Sequence, residues 1–241
     1  MLTENKFSKY LLYAIGEVIL VVIGILIALQ INNANELNKQ NKQEQNYLIA
    51  LKEEFKYNQA MLEKVMSNNT RYADAVFELL NHTGPGEPQL SEIEFSKLLM
   101  GAINNEVMYL PSSGVLEEII SSGKLDIFQN KELKNLMSSW SGVMDKVRFQ
   151  ETELTKYRIA LIDLSMESGN SRQLVIDSYG NLFGLTNSKF KNVNRHLLNS
   201  EKFENCMTAF LISSRFANQN YYSDLEEKIK AILLIIETEI K

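Results

Sequence analysis

Glu17 is the residue whose chemistry stands out. It is a carboxylate set inside YLLYAIGEVILVVIGILIALQINN, residues 10–33. Burying an ionised carboxylate in hydrocarbon is costly, and protonation or a partner is the usual escape. Three readings stand. The side chain is protonated or reaches back to the N-terminal interface. It faces another copy of the helix and hydrogen-bonds there. Or it carries protons, although relays ordinarily string together several ionisable groups and this span holds one. Gly24 and Ala28 form a small-x-x-x-small pair that lets helix backbones approach closely. At ~100° per residue both point within ~20° of Glu17, and Gly16 lies at the edge of the same face. Glu17, Gly16, Gly24 and Ala28 are therefore the candidate intramembrane contact.

Elsewhere the chemistry is sparse. Glu78 and His82 are four apart and could share a helix face. Di-metal bundles use Glu-x-x-His at i, i+3 on each of two helices, and neither that spacing nor a second copy is present, so no metal is expected. Cys206, the one cysteine, sits in the apolar stripe Phe203-x-x-Cys206-x-x-x-Phe210 and reads as a small core residue. Glu117-Glu118, Glu226-Glu227 and Glu237-x-Glu239 diverge around a helix by ~100° or more, which suits solvated surface better than a catalytic dyad. There is no Gly-rich phosphate loop, no G-x-S-x-G and no H-E-x-x-H. The expectation is no catalytic residue, no cofactor and no enzyme activity. A net charge of −5 without a strongly basic segment argues against nucleic acid as a partner.

The elements that must position these residues begin with residues 11–31, which match the ~20 apolar residues needed to cross ~30 Å of hydrocarbon. They show no polar stripe at a 3.6 period. The stretch is longer than a signal-peptide core and runs into Gln30-Ile31-Asn32-Asn33 rather than a small-residue cleavage site. An uncleaved, single-pass anchor is expected. Lys6, Lys9 and the terminal amine against Glu4 place residues 1–10 in the cytoplasm by the positive-inside rule. Residues 32–241 would then lie in the periplasm of a Gram-negative bacterium.

No break follows the span. A heptad pattern runs through Leu48, Leu51, Phe55, Asn58, Leu62, Val65, Asn69, Tyr72, Val76 and Leu79, with Asn58 and Asn69 as candidates to set coiled-coil register. Residues 81–88, with two prolines and two glycines, end this helix. Ser91 and Glu94 form a capping box for a helix over 92–103. A loop spans 104–113, and a second short helix covers 114–122 and stops at Gly123. Asn130 caps a long helix whose stripe is Leu133, Leu136, Trp140, Val143, Val147, Gln150, Leu154, Tyr157, Leu161 and Leu164, ending near Glu167. Leu174-Val175-Ile176 could be a short strand, a short helix is expected over 188–198, and Ser200 opens the last long helix. The leucines and isoleucines near its end read as core, with a second interface as the other option. The fold expected is all-α: the transmembrane helix continues into an antiparallel bundle of three long and two or three short helices.

Two stretches carry a resemblance. Residues 7–33, FSKYLLYAIGEVILVVIGILIALQINN, and residues 114–133, GVLEEIISSGKLDIFQNKEL, are similar to a family of uncharacterised single-span membrane proteins of flavobacteria and relatives. The chain departs from it at Ala34, where the family often has tryptophan, so an interfacial anchor is missing. The resemblance implies a bacterial inner-membrane protein and no activity. The functional expectation is a membrane-anchored helical interaction or scaffold module. Its partners would be the lipid bilayer and either another copy (a homo-oligomer) or another membrane protein. The alternatives are a periplasmic sensor or ligand-binding bundle acting through a partner, or a proton-coupled component using Glu17.

Overall fold

The computed structural model describes residues 4–86, 89–191 and 193–241, and no strand is found among them. Helix α1 (Glu4–Leu80) runs unbroken for 77 residues, ~115 Å at 1.5 Å per residue. It passes without a cap from the apolar segment, through an exposed stalk at residues 32–40, into the bundle, whose first buried residue is Glu44. The heptad positions of α1 face the core: all but the half-buried Val65 are buried. Elements of the same chain fill that seam. Asn58 holds Ser112 by both backbone groups, donating to its carbonyl (2.8 Å) and accepting from its N–H (2.7 Å). Asn69 donates to the Ser214 carbonyl at 2.8 Å. Both asparagines thus set register, but between segments of one chain.

The turn after α1 is described only as far as Gly86; Glu87 and Pro88 lie outside the described residues. Helix α2 (Glu92–Ile103) starts on the expected capping box, with Ser91 Oγ accepting from Glu94 N–H and Glu94 accepting from Ser91 N–H. It descends along α1, followed by an extended stretch and α3 (Gly114–Ser121). Gly123, at φ 67°, turns the chain into the tight 3₁₀ segment Lys124–Ile127. Contacts of α1 with this return step downward in order: Asn58 to Ser112, Glu54 to Leu116, Tyr47 to Lys124 and Glu44 to Gln129.

Asn130 caps α4 (Lys131–Ser138) by accepting from Leu133 N–H at 3.0 Å. The single long helix expected from the Asn130 cap to Glu167 is interrupted at one turn residue, Ser139, before α5 (Trp140–Ser168). Ser138 and Ser139 hydroxyls donate to the Asn135 and Leu136 carbonyls, a competition with the helical ladder that bends helices. Helix α5 ends at Gly169, where a Cβ would lie 2.6 Å from the Ser165 carbonyl oxygen and 2.8 Å from Asn194 Oδ1.

The strand proposed at residues 174–176 is instead inside α6 (Ser171–Tyr179), capped by Asn170. No partner strand was available, and Leu174 reaches the core from a helix. The helix expected at 188–198 shrinks to the 3₁₀ turn Arg195–Asn199. Phe190 is 79% exposed, and among the described residues of this stretch Asn194, Leu197 and Leu198 are buried, so the exposed residues 189–191 have no face to pack. Ser200 opens α7 (Glu201–Phe216) as expected. A π segment, Ala217–Tyr222, joins it without a break to α8 (Ser223–Glu239).

The fourth column returns toward the apolar segment of α1. Asn69 meets Ser214, Lys52 meets Glu237 at 3.0 Å, and Gln45 donates to the Glu239 carbonyl at 2.9 Å. The architecture is an all-α antiparallel bundle of four columns: α1; α2 with α3; α4 with α5; α7 with α8. Helix α1 packs on α2, α7 and α8, and α5 packs on α7 and the π segment, so α1 and α5 stand at opposite corners.

Candidate functional site

Three features are candidates: the face of α1 around Glu17, a buried carboxylate in the bundle, and an apolar groove on the bundle surface.

Residues 7–40 of α1 are exposed throughout, and this is the one described helix long and apolar enough to cross a membrane. Ala14, Glu17, Val18, Val21 and Val22 outline a shallow hollow on its side. Gly24 and Ala28 lie within ~20° of Glu17 by helical phase, and Gly16 lies ~100° from Glu17 on the side away from this hollow. A Cβ at either Gly16 or Gly24 would meet nothing within 4 Å, so both positions offer open backbone to a neighbour.

Inside the bundle, sequence reasoning missed Glu151. Its side chain is 4% exposed. It accepts from Tyr109 N–H at 2.7 Å, Tyr222 O–H at 2.8 Å and the Arg148 guanidinium at 2.7 Å. Three donors from three segments tie α5, the 104–113 loop and the π segment to one carboxylate. Burial pushes the Tyr222 hydroxyl well above the usual phenol range, and the Glu151 charge beside it adds to that. Burial likewise raises Tyr109, whose O–H donates to the Asn58 carbonyl. These phenols stay protonated as donors, and all of Glu151's partners come from its own chain. The signal in the sequence was the polar gap at Gln150-Glu151 in the α5 stripe.

Glu54 was also missed. One of its oxygens accepts from Val115 N–H and Ser112 O–H, and the other from Leu116 N–H. These are orphan donors at the start of α3, where a carboxylate also meets the positive end of the helix dipole. Gln45 does the corresponding work at the end of α8. The polar residues of the α1 seam thus close the ends of other helices.

The groove runs between α5 and α7, with Val147, Gln150 and Ser213 at its floor. Phe149, Ile212 and Phe216 stand on its walls, 64%, 50% and 51% exposed. Its volume is about 1360 Å³, above the ~300–1,000 Å³ of ordinary small-molecule pockets.

The remaining candidates do not assemble. His82 sits 3.4 Å from Glu78 with no third metal-ligating group, and among the described residues no three His, Cys, Asp or Glu converge. Cys206 is half-buried against the core. Glu118 bonds Tyr47 and Glu226 pairs with Lys230, each on the surface.

No curated protein and no solved structure matches the chain. A family model matches residues 17–144. That stretch starts at Glu17, takes in the rest of α1 with α2, α3 and α4, and includes the 114–133 segment and the head of α5. More than half of the chain is covered, and the chain belongs to this family, a family of unknown function (DUF6090).

Proposed function

We propose that the chain is a membrane-anchored helical interaction module that self-associates through the Glu17 face of α1. Residues 11–31 cross the inner membrane, residues 1–10 lie in the cytoplasm, and the bundle stands in the periplasm. One observation carries this reading. A single helix joins the apolar segment to the bundle, and over residues 7–40 none of the described residues covers it. Glu17 therefore has no partner among the described residues, in the very segment where a carboxylate needs one. A second copy supplies that partner by symmetry: two protonated or singly ionised carboxyls hydrogen-bond across a twofold axis, and Gly24 and Ala28 let the backbones close on each other.

The test is oxidative crosslinking of the full-length protein in native membranes, with Gly24→Cys in a Cys206→Ser background. A dimer band is expected. It should survive Glu17→Gln, which keeps the hydrogen-bonding shape, and weaken with Glu17→Leu. A monomer under all conditions sinks the reading. A wild-type-like Glu17→Gln protein removes the proton-coupled alternative.

A further inference from the structure

The structure assigns a second self-contact outside the membrane: the groove between α5 and α7, occupied by the same groove of another copy. Copies anchored by the same helix in one bilayer stand upright at equal height. The symmetric way to pair them is a twofold axis along the membrane normal. Under that rotation α5 of one copy faces α7 of the other, and residues meet those at their own level.

The levels are fixed within the chain. Gln150 donates to the Ser213 carbonyl and hydroxyl, both at 3.1 Å, and Lys228 donates to Ser139 Oγ at 3.1 Å. Phe149 therefore stands level with Phe216 and within a turn of Ile212. Each copy presents these three exposed apolar side chains to the same three in its mate. The charges agree. Lys146 and Asp224 flank the groove on opposite walls, both are exposed, and neither forms an ion pair among the described residues. Across the axis, Lys146 of one copy comes within a lysine's reach of Asp224 of the other, twice per interface.

The two self-contacts cannot be made with the same neighbour. Packed helices lie ~8–10 Å apart, and α1 stands at the corner opposite α5. A groove-paired dimer therefore keeps its two α1 helices ~30 Å apart at that spacing. A span contact must go to a different copy. Two parallel twofold axes combine into a translation, so the assembly is an open row along the membrane. The row rests on the span contact proposed above; the groove contact stands without it.

Both are tested on full-length Cys206→Ser chains in membranes, carrying two different tags. One chain bears Phe149→Cys and the other Phe216→Cys, so that a disulfide joining the tags reports only contact between copies. A mixed-tag dimer is expected, with Lys146→Glu abolishing it and Lys146→Glu combined with Asp224→Lys restoring it. Ile159→Cys, exposed on α5 outside the groove, should give no product with Phe216→Cys. Gly24→Cys alone should stop at dimers, and Gly24→Cys added to the groove pair should give a ladder beyond dimers. Loss of the groove product with the Gly24→Cys dimer intact overturns the groove contact and leaves the span reading standing. The reverse pattern overturns the span reading alone. Both products without a ladder overturn the row, and a groove product containing only a different protein overturns the second copy as occupant.

Discussion

Glu151 shows how a buried charge is kept in a helical bundle. Both carboxylate oxygens are filled by donors from its own chain, which offsets desolvation. Removing the carboxylate would leave the Tyr109 N–H and the Tyr222 O–H without an acceptor in a dry interior. Glu151→Ala is expected to cost ~3–5 kcal/mol, the scale for breaking a buried pair. Glu151→Gln can keep an oxygen toward both tyrosine groups and loses only the Arg148 partner, ~1–3 kcal/mol. Urea unfolding of the two variants should give that order, and equal losses would mean that the charge rather than the hydrogen bonds holds the site. At the surface, Glu94 is the contrasting case. The Ser91 N–H it accepts, with the Ser91 hydroxyl second, holds its carboxyl below the usual carboxylate range. A carboxyl depressed on folding stabilises above its unfolded value, and that contribution is lost as pH falls through the lowered one. Protection against amide exchange in the first turn of α2, relative to the intrinsic rate, should therefore fall on acidification through that window in the wild type. It should show no such step in Glu94→Ala.

The elements were legible wherever apolar spacing and capping chemistry agreed. Helix α1, the capping box of α2, the Asn130 cap of α4 and the Ser200 cap of α7 could all be read from the sequence, because each is local. The errors fell where a tertiary contact decided the outcome. Residues 174–176 look β-branched and apolar, yet a lone strand has nothing to pair with, so α6 forms. The interruption at Ser139 coincides with Ser138 and Ser139 hydroxyls bonding back to the Asn135 and Leu136 carbonyls, and composition does not announce it. The π segment left a trace that could have been read. Core positions of the last column step by three and four through Phe203, Met207, Phe210, Ser214 and Ala217. They then jump five residues to Tyr222 and resume at Leu225, Ile229, Ile232 and Ile236. One extra residue is absorbed there and turned into the wide turn that aims Tyr222 at Glu151. Deleting the exposed Gln219 should close the jump to an α-helical step of four and leave both seams in phase, costing no more than ~1–2 kcal/mol. Deleting Glu227 in α8 should rotate Ile229, Ile232 and Ile236 by ~100° out of the core and unfold the bundle. Circular dichroism melts of the two deletions would separate these outcomes, and equal damage would mean that the π turn is not a spare residue. Of the candidate features, the Glu17 face is an expectation from helical phase alone, whereas the groove depends on how α5 and α7 pack, which no single helix records.

For the whole molecule, α1 is apolar segment, stalk and core column in one piece, and its three parts differ in what they owe to the rest. Residues 7–40 are exposed, while the core contributions of α1 begin at Glu44 and Leu48. The stalk is asparagine-rich and polar on every side, so it gains nothing from packing and is helical because both of its neighbours are. The bundle should therefore be indifferent to losing everything before Lys42: a chain of residues 42–241 should unfold cooperatively at the same urea midpoint as the full-length protein in detergent. A chain beginning at Gln59 removes Glu44, Leu48, Leu51, Glu54, Phe55 and Asn58. Three of these, Glu44, Glu54 and Asn58, hold the backbone of residues 112–129, which has no continuous helix of its own. That column should come loose first, seen as fast amide exchange at Ser112, Val115, Leu116 and Gln129, and the remaining chain should lose its cooperative transition. If the shorter chain kept a sharp transition, α1 would be an accessory to a three-column core, and the heptad seam would owe its burial to convenience rather than to folding.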